Sequence, residues 1–186
     1  APNFPYGMID PIADLSRIAL THDLWLHVDA CVGGYLAPFA HMLGRTLPAF
    51  DFALPGVCSI SADLHKYGFA AKGASTITYR NLKLLKHQMF VQQDWPGGVF
   101  ASPALLGTRP GGAYAAAWAA MQHFGVDGYR DLANLTSMAF DGLRAGIEAM
   151  PELLVLGDPK GPLLAYGSTT PEVNIFAVGD QMDAKG

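Results

Sequence analysis

A short apolar strand that breaks into a polar turn limits this chain's folding more than any other feature. Ser59-Ile60-Ser61-Ala62 runs into Asp63-Leu64-His65-Lys66-Tyr67-Gly68. The turn presents a lysine flanked by a histidine and a tyrosine where strand gives way to loop. Reactive groups in α/β proteins are commonly mounted at such positions. Alone, Lys66 reads as a solvated loop lysine. A second stretch upstream changes that reading: Trp25-Leu26-His27-Val28-Asp29-Ala30-Cys31 is an apolar strand that also ends in one carboxylate, followed by Gly33-Gly34. Asp29 and Lys66, each at a strand end and 37 positions apart, suit one cofactor. Pyridoxal 5'-phosphate needs a lysine to hold its aldehyde as a Schiff base and a carboxylate to keep its ring nitrogen protonated.

The rest of the chain alternates helices and strands. Ala1 to Gly7 reads as a loop with no initiator methionine. Asp10 is an expected N-cap with Pro11 in the first helical position, and a helix runs from there to about Thr21. Gly33 to Leu43 reads as loop and helix, which Pro38 interrupts or starts. Ala74 to Tyr79 is a β-branched strand, Leu82 to Lys86 a short helix, and Met89 to Gln93 extended. Asp94 to Gly112 is an irregular Gly- and Pro-rich segment of the kind that is functional or interfacial. Two helices follow, Ala113 to Phe124 and Asp127 to Met150, the second with Asp127 as N-cap and Leu132, Leu135, Leu143 and Ile147 at helical spacing. Strands are expected at Leu153 to Leu156, Leu163 to Ala165 and Asn174 to Val178, with a new helix starting in Asp180 to Gly186. The break near Pro151 divides residues 1–150, the larger domain, from 151–186, the start of a smaller one.

Composition narrows the function classes. With 186 residues, half of them apolar and 15% charged, the chain suffices for one sizeable domain. A net charge of −4 and no basic run argue against a nucleic-acid surface. No apolar run approaches the roughly 18 residues of a membrane span, and nothing reads as a signal peptide. Cys31 and Cys58 form neither a disulfide framework nor a metal-ligand pattern, so no metal is expected and a reducing compartment is inferred. The expected location is the cytoplasm, or a membrane anchor facing the cytosol if a preceding span exists.

Three segments carry a family resemblance: His27 to Gly34, Ser59 to Gly73 and Gly98 to Gly112. They resemble the sphingosine-1-phosphate lyases, within the fold-type I pyridoxal-phosphate-dependent group that includes the group II decarboxylases. The most specific runs are Ser-Ala-Asp-Leu-His-Lys-Tyr-Gly and Gly-Thr-Arg-Pro-Gly-Gly. Related decarboxylases usually carry Asn-Pro-His-Lys or Asp-Pro-His-Lys at the lysine; Asp63-Leu64 stands here instead and favours the lyase.

The resemblance implies an α/β fold: a partial fold-type I, transferase-like large domain plus the start of a small α+β C-terminal domain. It implies that Lys66 carries the cofactor and moves protons, with the lowered pKa of a desolvated lysine. Asp29 would pair with the pyridine nitrogen, Cys31 face the ring and His65 reach the phosphate. Lys72 stands near the site's mouth in the family, Tyr67 is a site wall or a core aromatic, and His27 is left as structural. Ser102 and Arg109 would bind phosphate across the interface of a homodimer, with the site at the subunit boundary. The family's phosphate-cradling loop and ring-stacking histidine lie upstream of this region, so the sequence reads as a fragment. The implied reaction cleaves a small phosphorylated long-chain amino alcohol to phosphoethanolamine and a fatty aldehyde. Amino-acid decarboxylation, or a non-catalytic fragment of this fold, is the alternative.

Overall fold

The computed structural model describes residues 1–185. Helix α1, Ile12–Thr21, begins at Pro11, which occupies the N-cap itself. Asp10 therefore does not cap the helix as expected; its carboxylate accepts from Asn3 Nδ2 at 3.3 Å instead. Ile12, Ser16 and Ala19 recur on one buried face, which packs on strand β1, Leu26–Asp29. Ser16 is small because the chain at Gly56 runs against it. The Gly56 N–H donates to Ser16 Oγ at 2.9 Å, and a Cβ on Gly56 would sit 2.3 Å from the Ser16 carbonyl oxygen.

Strands β1, β2 (Val57–Ala62) and β3 (Thr76–Tyr79) form a mixed sheet in that order. The β1–β2 pair is parallel and needs a crossover, which helix α2, Ala37–Met42, supplies with Pro38 in its first turn. The β2–β3 pair is antiparallel. Val28 turns inward to a core of Ile12, Ala30, Ala37, Phe50 and Val57. Because side chains alternate along a strand, His27 and Asp29 point to the opposite face, opposite their register partners Ser59 and Ser61. That face carries the polar residues of the sheet.

Asn81 caps α3, Leu82–Leu85, by accepting from Leu84 N at 3.1 Å, and one 3₁₀ turn follows at Lys86–Gln88. The segment expected to be irregular contains a strand. Here β5, Phe100–Ser102, pairs antiparallel with β4, Phe90–Gln92, so the Gly/Pro-rich stretch is the tip of a hairpin. Helix α4, Gly112–Glu148, breaks at Gly125, whose φ of 57° and ψ of −169° suit glycine. The two expected helices are thus its two arms. Asp127, expected to cap the second arm, pairs with Arg130 at 3.2 Å.

Strands β6 (Leu153–Val155) and β7 (Tyr166–Ser168) make a second hairpin; β7 begins beyond the expected Leu163 to Ala165. Asn174 to Val178 is not a strand. Asn174 Oδ1 accepts from the N–H groups of Phe176 and Ala177 at 3.0 and 3.3 Å, starting helix α5, Ile175–Asp183. That cap satisfies first-turn donors which an extended chain would have to pair elsewhere. Among the described residues no helix is long and apolar enough to cross a membrane.

Candidate active site

The lysine turn is held from three sides. Its backbone is closed by Lys66 N to Asp63 O (3.2 Å), Phe69 N to Lys66 O (3.0 Å), Ala70 N to Leu64 O (3.0 Å) and His65 N to Ala74 O (3.0 Å). Asp63 N donates to Cys31 O at 3.2 Å, tying the turn to the end of β1. Behind it, Leu64 and Ala74 pack on Ala117 of α4, and the Tyr129 hydroxyl donates to the Gly68 carbonyl at 2.8 Å. A Cβ at Gly68 would lie 2.5 Å from the Leu64 oxygen, so only glycine closes the turn this tightly. Phe69 beside it takes a left-handed φ of 55°, a strained conformation that survives where surrounding contacts enforce it.

Asp29 and Lys66 both lie near Cys31. The backbone N–H of Cys31 donates to Asp29 Oδ1 at 3.0 Å, and its thiol is close enough to both charged groups to bear on their protonation. Ser61 Oγ donates to the same oxygen at 3.0 Å. The Cys31 thiol and N–H, with Ser61, hold the Asp29 carboxyl down to about 2. Burial, then the Asp29 charge, push the Cys31 thiol up, so it serves as a protonated S–H between the two charged groups.

Lys66 departs from expectation. Its Nζ lies 2.9 Å from Asp63 Oδ2, and that carboxylate, then Cys31, raise its pKa above the usual lysine value. The side chain is 36% exposed, so desolvation is weak and the ion pair wins. Burial pushes Asp63 up, yet the Ser75 hydroxyl, Lys66 and His65 together hold its carboxyl below the ordinary range.

His65 Nδ1 donates to the Ala74 carbonyl at 2.7 Å, which leaves Nε2 3.6 Å from Asp63 Oδ2. Tyr67 anchors the turn: its hydroxyl reaches the Pro162 carbonyl at 3.5 Å and its ring meets Phe69 edge-on at 6.1 Å. His27 is structural, its Nδ1 2.8 Å from Ser59 Oγ, which also accepts from Trp25 Nε1 at 3.0 Å.

The remaining candidates stand apart. Lys72 is exposed on the next turn, with no hydrogen bond or ion pair among the described residues. Ser102 Oγ donates to Ala104 O at 2.7 Å within its own turn, so its donor is spent locally rather than offered to a phosphate. Arg109 is exposed beyond β5, and no bond links it or Ser102 to the lysine turn. A cleft of about 400 Å³ runs along β1 past His27, Asp29 and Cys31, but Lys66 does not line it. Sequence reasoning missed Asp63, Ser61 and Ser75 as partners of the two charged residues. Position i−3 to a turn lysine was the available signal for Asp63; Ser61 and Ser75 had none without the register.

The donor set fits pyridoxal phosphate: an amine for the aldehyde and an ionised carboxylate for the ring nitrogen. Comparisons with known proteins agree. A sphingosine-1-phosphate lyase of Oryza sativa is 46% identical over all 186 residues, which make up 34% of that protein's length. An L-aspartate decarboxylase of Thermococcus kodakarensis is 35% identical over 162 residues, covering 87% of this chain and 42% of that protein. The structure of a Burkholderia pseudomallei sphingosine-1-phosphate lyase superposes with a TM-score of 0.92 at 46% identity, over 100% of this chain and 42% of that one. The chain thus spans about a third of the length of the curated lyases it matches. The family described as the pyridoxal-dependent decarboxylase conserved domain matches residues 5–166, and this chain belongs to it.

Proposed function

We propose that the full-length protein is a pyridoxal-phosphate-dependent carbon–carbon lyase acting on a phosphorylated long-chain amino alcohol, with phosphoethanolamine and a fatty aldehyde as products. The observation that carries the reading is the 46% identity to a sphingosine-1-phosphate lyase across the whole chain, against 35% over a shorter span for a decarboxylase. Bound, the cofactor supplies an electron sink for the bond broken at the amine-bearing carbon.

This chain's residues supply the rest. Asp29, kept ionised by Cys31 and Ser61, is placed to hold a proton on the ring nitrogen. Lys66 would hold the cofactor through its amine, and the free amine would be placed to take or give a proton beside Cys31. His65 is assigned to the cofactor phosphate through Nε2 in the protonated ring, its Nδ1 being held by Ala74 O. Cleavage of the C2–C3 bond requires the C3 hydroxyl proton to leave, and an amine such as Lys66 or Lys72 can accept it.

We assign the hairpin β4–β5 and the segment after it to contact with a second copy. Val99, Phe100, Leu105 and Leu106 are all at least half exposed there, an apolar surface larger than scattered exposed side chains explain. The test is product analysis with the full-length protein. Phosphoethanolamine and aldehyde from the phosphorylated substrate support the lyase; CO₂ from aspartate and no aldehyde would establish the decarboxylase instead.

A further inference from the structure

Asp63 is buried at 8% exposure, and its carboxylate is the hub of the lysine turn. Ser75 donates to Oδ1, while Lys66 Nζ lies 2.9 Å and His65 Nε2 3.6 Å from Oδ2. Its own backbone N–H is fixed on Cys31 O, and the neighbouring Leu64 is packed under α4. The carboxylate is therefore immobile, and the lysine is the mobile partner.

We propose that Asp63 is the positioning residue of Lys66, its buried carboxylate holding the lysine ammonium beside Cys31 and Asp29 until the amine is needed. This rests on the reading of Lys66 as the cofactor-bearing lysine. An ammonium has no lone pair, so Nζ must lose a proton before it bonds to any carbonyl carbon. A carboxylate at 2.9 Å opposes that loss. When Lys66 gives up its charge, Asp63 keeps the Ser75 hydroxyl, and protonation of His65 would add Nε2–H as a second donor, so the carboxylate is not stranded.

The groups that face Lys66 are few. Asp63 lies on its own turn and Cys31 just beyond β1, with His65 and Asp29 bonded to these two rather than to Nζ. Ser75, at the head of β3, reaches Asp63 rather than the lysine. From α4, behind the turn, come Ala113, Ala117 and the Tyr129 hydroxyl, with no charge. Among these, Asp63 is the anion in direct contact with Nζ.

Full-length protein stripped of cofactor is treated with trinitrobenzenesulfonate across pH 7–11, and the labelling of Lys66 and Lys72 is followed by peptide mass spectrometry. Lys72 has no partner among the described residues and serves as the internal reference. In the wild type Lys66 should reach half-maximal labelling at a higher pH than Lys72. In Asp63→Asn the Lys66 midpoint should fall by about one unit or more, and Asp63→Glu should restore part of it. Equal midpoints for the two lysines in the wild type, or an unmoved Lys66 midpoint in folded Asp63→Asn, would overturn the proposal. The first of these needs no variant. The assay contains neither cofactor nor substrate, so it is independent of the reading of Lys66 as the cofactor-bearing lysine; failure of that reading shows separately, as no visible absorption band when pyridoxal phosphate is added to the wild type.

Discussion

Ser61 Oγ and Asp29 Oδ1 meet at 3.0 Å across two parallel strands, although 32 residues separate them in the chain. The parallel register sets Asp29 opposite Ser61 on one face of the sheet. The carboxylate is thereby aimed by a neighbouring strand as well as by the Cys31 N–H on its own.

Asp29→Asn should keep the fold and part of the cofactor binding while lowering kcat by a factor on the order of 10², because the amide no longer holds the ring proton. Ser61→Ala removes one donor and should cost less than Asp29→Asn does, since the Cys31 N–H still holds the carboxylate. Steady-state kinetics on the full-length enzyme separate the two. Near-normal turnover in Asp29→Asn would remove the aspartate from the chemistry.

The Asp29 carboxyl is held down to about 2 by Cys31 and Ser61, from an ordinary 3.8. A depressed carboxyl contributes stability that is present above the unfolded value and lost as pH falls through the folded one. The stability gap between wild type and Asp29→Asn should therefore be full at pH 6, shrink below about pH 4 and vanish near pH 2. Urea unfolding at a series of acidic pH values measures it. A gap that widens toward pH 2 would contradict the assignment.

The strand ends at Asp29 and Lys66 were legible because apolar runs stop there in single charged residues. The two arms of α4 were legible from helical spacing. What surrounds the two residues was not. Ser61 faces Asp29 only through the β1–β2 register, which depends on a crossover no local pattern encodes. Burial alone suggests a lowered lysine pKa; the opposite holds because Asp63 is folded back 2.9 Å from Nζ. Asn174 reads as part of a β-branched run, yet its side chain caps a helix. Strand β5 was hidden because it pairs with β4 in a hairpin around Gly97-Gly98.

Tyr129 joins α4 to the lysine turn through its bond to Gly68 O, and its ring lies between Phe39 (5.1 Å), Tyr35 (5.2 Å) and Phe124 (5.4 Å). Tyr129→Phe keeps the aromatic packing and leaves a buried carbonyl without its donor. The expected cost is about 1–3 kcal/mol in chemical denaturation. Cofactor affinity should fall as well, since the turn carrying Lys66 loosens. Unchanged stability would mean that water replaces the hydroxyl.

Arg109 and Lys72 are the exposed cations available for a substrate phosphate, and neither has a partner among the described residues. They stand on different elements: Lys72 follows the lysine turn, whereas Arg109 lies beyond β5 with no bond to that turn. The proposed contact between copies is what would bring Arg109 to the site near Lys66. A guanidinium binds phosphate through two parallel N–H bonds, so its loss should fall on the phosphorylated substrate. Arg109→Ala is expected to lower kcat/KM for the phosphorylated amino alcohol by about tenfold or more, with little change for its dephosphorylated analogue, while the dimer persists in light scattering. Lys72→Ala should show a smaller preference of the same sign, because an exposed ammonium is a solvated point charge. Equal losses on both substrates in Arg109→Ala, with a weakened dimer, would instead make the arginine an interface residue and leave phosphate recognition to Lys72.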